Sequence, residues 1–463
     1  MLSNDILFAS ITEQAALIKA RKLSPVELTE SYLQRLETIG PKLGAVAEVM
    51  RVSAIEEAKQ AESEIKKGKY RGLLHGIPYG AKDLLATKNA KTTWGATPYK
   101  NQQFDFDATI IKKLRDAGAI LVAKLAMIEL AGGMGYNQAD ASWTGACKTP
   151  WNTGFWSGGS SSGPGAASAA ALCTFSIGSE TSGSIITPAA FCGLSGLRPT
   201  YGAVSRHGAM ALCWTLDKLG PMCRSVRDCE IVFDAIRGKD SLDASSKDFP
   251  KQAKPDLKNL RIGVLKDSFE KAQKEVSENF SKSLEVLKTF ATVEMNVTVP
   301  EFPYGAAVGT IVDAEGAAAF RDLIESGKIK ELASPEGRIG GYSASLVTAV
   351  DYLHAMRLRV PARKAWAEMF KKIDLLVAPS RSTVAYPIDK TFNQAYPGIT
   401  ATSPIGSSNL VGVPAISIPN GFGQNNLPTG IQFVGAPWSE YLLLAVADKY
   451  QQATDFHKKR PSV

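Results

Sequence analysis

The sequence is poor in the residues that metal and disulfide chemistry need. Only four histidines (His75, His207, His354 and His457) occur in 463 residues, far apart along the chain, so no zinc template with closely spaced ligands is visible. Six cysteines (Cys147, Cys173, Cys192, Cys213, Cys223 and Cys229) include no C-x-x-C pair, and a chain of this length builds its core without staples. Free buried thiols and no structural metal are expected. Long apolar runs are also missing. The most apolar stretch, residues 166–177, is too short and too rich in small residues to span a bilayer. The opening MLSNDILFASITEQ has no basic segment followed by an apolar one. These absences point to a cytoplasmic protein without a membrane partner. The net charge of +8 comes from scattered lysines, with tight runs only at Lys66-Lys67 and Lys458-Lys459-Arg460. Nucleic-acid binders concentrate their charge, so a solvated surface is the better reading.

What is present is enough for a large core, with 44% hydrophobic and 21% charged residues. Residues 1–70 read as helical. Ser24-Pro25-Val26-Glu27 forms a capping box with proline at the first helical position, and Val26, Leu28, Leu33 and Leu36 supply an apolar face. A second helix is predicted near residues 53–67. Beyond residue 260, strands are predicted at 260–265, 291–297, 373–380, 414–419 and 430–435, with helices at 270–290, across 310–372, and from Ser439 onward. Strands alternating with helices favour an α/β layered fold, read as one unit over residues 1–463.

Between residues 75 and 221 the character changes. Glycine, serine and alanine become dense, yet Trp94, Trp143, Trp151, Trp156 and Trp214 lie in the same stretch, and flexible linkers avoid tryptophan. Two glycine-serine segments stand out: Trp156-Ser157-Gly158-Gly159-Ser160-Ser161-Ser162-Gly163, and Gly178-Ser179-Glu180-Thr181-Ser182-Gly183-Ser184-Ile185-Ile186. The first alone would be read as a loop. It also fits G-x-S-x-G with Ser161 as nucleophile, but the preceding NTGFW does not look like the strand that a nucleophile elbow requires.

The two segments, with Gly76-Ile77-Pro78 followed by Lys82-Asp83 upstream and Gly196-Leu197-Arg198-Pro199-Thr200 downstream, resemble the amidase signature family in order and separation. The resemblance extends more weakly into PAISIP and PTGIQFVG. It implies one α/β/α layered domain around a large, mixed, twisted β-sheet, with residues 75–221 as catalytic core and 310–372 as a helical region covering the site. It implies Lys82 as general base, Ser160 as a bridging serine after a cis peptide bond, and Ser184 as nucleophile. The backbone N–H groups of Thr181, Ser182, Gly183 and Ser184 would form the oxyanion hole, and Gly133 and Met134 would line the acyl pocket. His207 reads as a loop or substrate-contact residue, and Glu129 and Asp217 as hydrogen-bonding support.

The chemistry is coherent. A serine hydroxyl needs a base, and a lysine serves only when neutral, which burial achieves by lowering its pKa. The expected protein is thus an amide hydrolase, with anilides, carbamates and esters as related substrates, needing no cofactor and acting on a small molecule as a monomer or homodimer. The family pattern Asp-x-Gly-Gly-Ser-Ile-Arg is altered here: Glu180 lengthens the acid, Ser182 replaces a glycine, and Ile186 replaces the arginine. Glu180 therefore needs another charge partner. The change also argues against the glutaminase subunit of an amidotransferase complex, the first alternative. A non-catalytic binding protein on the same scaffold is the second.

Overall fold

A computed structural model of the chain describes residues 2–253 and 255–462. Two of its N-terminal helices start where a serine side chain satisfies free N–H groups. Ser10 and Glu13 make a complete capping box before helix Ile11–Lys19. At Ser24, where the sequence predicts such a box, only half of one forms. Ser24 Oγ accepts from the N–H groups of Val26 and Glu27 at 3.1 and 3.3 Å and donates to Glu62 Oε1 at 2.5 Å, but the Glu27 carboxylate does not reach back to the Ser24 N–H. Helix Pro25–Thr38 then buries Leu28, Leu33 and Leu36, and helix Arg51–Lys66 follows after a short interruption.

That interruption holds a single helical turn, Gly40–Leu43, and a strand, β1 (Val46–Val49), which the helical reading of residues 1–70 did not contain. The other strands are β2 (Pro78–Lys82), β3 (Ile120–Leu125), β4 (Phe175–Glu180), β5 (Ser195–Arg198), β6 (Lys218–Cys223), β7 (Arg261–Leu265), β8 (Thr292–Val297), β9 (Leu375–Pro379), β10 (Ala415–Phe422) and β11 (Pro428–Gly435). They form one 11-stranded mixed sheet in the order β1-β3-β2-β4-β6-β5-β10-β11-β9-β7-β8. The runs β3-β2-β4 and β9-β7-β8 are parallel, and the centre from β4 to β9 is antiparallel.

Side chains alternate across this sheet. Leu375 and Val377 of β9 join one buried apolar cluster, and Leu376 and Ala378 join another. Helices thus cover both faces, which is the α/β layering that the alternation of strands and helices predicts. Helix Ser162–Ala169 lies against β2, β3, β4 and β6. All eight of its residues are small and buried, so its backbone comes close to the sheet. The helical region predicted at 310–372 begins earlier, at Tyr304, and consists mainly of helices Tyr304–Ala319, Gly337–Ala344 and Ala349–Lys372. Among the described residues no helix is long and apolar enough to cross a membrane. All six cysteines are buried with free thiols, and no described group of three or more His, Cys, Asp or Glu could hold a metal ion.

Candidate active site

Lys82 closes β2 in the interior of the sheet, with none of its surface exposed. Its Nζ lies 2.8 Å from Ser160 Oγ and 2.8 Å from Ser179 Oγ. Burial brings the Lys82 ammonium down to about 7, against the pull of Asp217 and Glu180, which favour the charge. Ser179, on β4, was not singled out from the sequence, although it lies inside the second glycine-serine segment.

Ser160 follows a cis Gly159–Ser160 peptide bond. The loop before it presses onto the start of helix Ile186–Cys192. Gly158 has φ of +84°, and a Cβ there would meet the Pro188 backbone at 2.7 Å. The two serine segments are laced together through Ser161. Its N–H donates to the Ser184 carbonyl at 3.3 Å, its Oγ donates to the Ser179 carbonyl at 3.0 Å, and the Ser179 N–H donates back to that Oγ at 3.2 Å. Ser161 is fully buried with its hydroxyl occupied, so it is not available as the elbow nucleophile. Among the described residues the Ser160 and Ser184 hydroxyls do not hydrogen-bond to each other. Ser184 Oγ has no partner among them, and rotation about its one side-chain torsion is the freedom left to it.

Residues 181–184 leave β4 and turn into the next helix. Gly183 makes the turn at φ of +92°, and the N–H groups of Thr181, Ser182, Gly183 and Ser184 make no hydrogen bond within the described protein. Ser182 lies at the surface, while Thr181, Gly183 and Ser184 are buried, Ser184 keeping 8% of its surface exposed. Two carboxylates hold this strip of donors. Thr181 Oγ1 donates to Asp217 Oδ1 at 2.6 Å, and Asp217 Oδ2 accepts from the N–H groups of Leu212 and Cys213. Glu180 Oε2 accepts from the N–H groups of Ile185 and Ile186 at 2.8 and 3.0 Å, while Arg198 and Asn409 donate to its Oε1 at 3.0 and 2.8 Å. Burial works against the Glu180 charge, but Arg198 and these donors outweigh it and hold the carboxyl at about 2. The charge partner missing at Ile186 is therefore supplied by Arg198 from β5.

A cavity of about 210 Å³ opens over Ser179 and Thr181. Leu84, Met210, Leu212, Trp214, Leu219 and Leu242 give it apolar walls, and His207 also lines it, with Nδ1 3.3 Å from Thr109 Oγ1. Its charged members are already engaged. Arg206 donates to the Trp214 carbonyl, to Tyr201 OH and to Ser245 Oγ, and it pairs with Asp243 at 3.6 Å. Gly133 and Met134 are not in this lining. They pack against Leu212 and against Gly316, Gly340 and Gly341 of the helical region, because those glycines let the helices approach closely. That region is tied down by two buried acids. Glu129 accepts from the N–H groups of Ala333 and Ser334, both at 2.8 Å, and Glu315 accepts from Thr215 Oγ1 at 2.7 Å and Tyr352 OH at 2.9 Å.

Compared with known proteins, the chain matches the Amidase family model over residues 27–444. It belongs to the amidase signature family. It is 35% identical to one of the subunits of glutamyl-tRNA(Gln) amidotransferase from Acinetobacter baumannii, with 99% of each chain covered. The solved peptide amidase of Stenotrophomonas maltophilia matches with a TM-score of 0.87 at 29% identity, with 98% of each chain covered. The solved glutamyl-tRNA(Gln) amidotransferase subunit from Thermotoga maritima matches with a TM-score of 0.79 at 27% identity, covering 98% of this chain and 96% of that one.

Proposed function

We propose that the whole chain acts as one amidase that cleaves the carbon-nitrogen bond of a small, uncharged amide through an acyl-serine at Ser184. The observation that carries this reading is Lys82. It is fully buried, is held only by hydroxyls, and is brought down to about 7, so a large fraction of it is neutral at physiological pH. Ser184 Oγ rotates toward Ser160 and attacks the carbonyl carbon. Its proton passes to Ser160, whose own proton passes to Lys82. The oxyanion is held by the N–H groups of 181–184, a contribution of about 3–4 kcal/mol for one such donor. As the tetrahedral carbon collapses, the carbon-nitrogen bond breaks and the amine leaves with the proton returned through the relay. Water then attacks the acyl-serine by the same route and releases the acid.

The cavity wall supports an uncharged substrate, since its arginine and aspartates already have partners. A zwitterion such as glutamine would bring an ammonium and a carboxylate to apolar surface without counter-charges. The solved peptide amidase agrees with this reading, but the amidotransferase relatives pull the other way. They favour the second reading, a glutaminase subunit that passes ammonia to a partner, over a free-standing amidase. That reading replaces the expected monomer or homodimer with an assembly of different subunits.

The test is a panel of glutamine, anilides, alkyl amides, carbamates and esters, read by mass spectrometry, with fluorophosphonate labelling of Ser184 alongside. Turnover of neutral amides by the isolated chain supports the first reading. Glutamine turnover that rises steeply with a co-purifying subunit supports the second. Folded protein that neither turns over nor labels is a binding protein.

A further inference from the structure

A second cavity, of about 440 Å³, lies between helix Ala349–Lys372, the backbone of 411–413 and the turn at 437–438. It shares no lining residue with the cavity over Ser179. Tyr201 and Arg206 separate the two, with the guanidinium stacked 4.8 Å from the Tyr201 ring. Its volume falls in the range of about 300–1,000 Å³ typical of small-molecule sites.

The lining has an unusual charge balance. Tyr201, Trp366, Phe370 and Trp438 give it aromatic walls, Lys247 and Arg363 bring two cations, and no aspartate or glutamate lines it. Arg363 Nε donates to the Val411 carbonyl at 3.1 Å. Among the described residues its two Nη groups have no hydrogen-bond or ion-pair partner, and neither does Lys247 Nζ. A guanidinium cannot shed its proton. With Nε anchored, the free Nη pair can meet a carboxylate, and the adjacent rings can cover an alkyl or aryl chain.

We propose that this cavity binds an amphipathic anion, an alkyl or aryl carboxylate whose head group pairs with Arg363 and Lys247 and whose apolar part lies among the four rings. The site stands whether or not the reading of the Ser184 centre is right.

The test is calorimetric titration with octanoate, 1-octanol and acetate against the wild type and the double variant Arg363→Met, Lys247→Met, with melting temperature recorded for each. Octanoate is expected to bind wild type at least tenfold more tightly than octanol or acetate. The double variant is expected to lose at least tenfold in octanoate affinity with amide hydrolysis unchanged. Ala367→Trp, which fills the same cavity without removing a charge, is expected to weaken octanoate equally, and it decides the matter should the double variant fail to fold. Octanol binding as tightly as octanoate, octanoate binding unchanged in a folded variant, or no octanoate binding to wild type would each overturn the proposal.

Discussion

Lys82 and Lys124 stand on neighbouring parallel strands, β2 and β3, and both are fully buried. Their surroundings differ in what meets the ammonium group. Lys124 Nζ meets a carboxylate, Asp83 Oδ1 at 3.3 Å, and also the Leu85 carbonyl at 2.8 Å and Thr92 Oγ1 at 2.6 Å. Lys82 Nζ meets two serine hydroxyls and nothing charged. Burial lowers both pKa values, and the adjacent Asp83 offsets it for Lys124 while only more distant acids act on Lys82. The comparison teaches that burial alone does not make a lysine a base. A contact carboxylate works against the loss of the proton, and hydroxyls do not.

The largest expected effect lies on the Lys82 side. Ser184→Ala should lower turnover by about 10⁴-fold or more with the melting temperature nearly unchanged, since the residual rate comes from binding and the donor strip. Steady-state kinetics on a small anilide with thermal unfolding checks both halves. The contrast itself breaks if the two lysines respond alike to methionine. Lys124→Met should cost about 3–5 kcal/mol in denaturant unfolding, because it leaves Asp83 buried without its cation. Lys82→Met should abolish turnover with little loss of stability.

A third prediction uses pH. Below about 7 Lys82 carries its proton in both folded and unfolded chains, and the folded state bears the desolvation cost. Between about 7 and the ordinary lysine value of 10.5, the unfolded chain holds a proton that the folded chain has released. Stability must therefore rise with pH across that window. The unfolding free energy of wild type minus that of Lys82→Met should increase from pH 7 to pH 10, and a constant difference would place the Lys82 pKa elsewhere. The smallest effect concerns the helical region. Glu129→Gln should cost about 1 kcal/mol, seen as faster amide exchange at residues 333 and 334.

The sequence shows one side of the Lys82–Lys124 contrast and hides the other. Glycine and serine density marked residues 156–163 and 178–186 only as backbone that must approach closely; it was the resemblance to the amidase signature family that singled out Lys82, Ser160 and Ser184 within and upstream of them. Strands β7, β9, β10 and β11 were legible from apolar runs bounded by turn residues. By contrast, β2 (PYGAK), β4 (FSIGSE) and β5 (SGLR) are fully buried yet built from glycine, serine and charged residues, so no hydrophobic period announces them. β1 is four residues long, too short for an alternation of period two to stand out. Ser179 and Arg198 needed the sheet: β2 pairs with β4 and so brings Ser179 to Lys82, and β5 aims Arg198 at Glu180. The packing of Gly133 and Met134 depends on glycines more than 180 residues away, a distance that no local pattern spans.

The account turns on an uncharged Lys82 serving Ser184 through Ser160. The most direct measurement is the rate of fluorophosphonate labelling of Ser184 between pH 5 and pH 9, in wild type and in Lys82→Met. The predicted result is a rate that rises through a single ionisation near 7 in wild type and is near zero throughout in the variant. A flat wild-type profile, or a folded variant that labels at the wild-type rate, would contradict it.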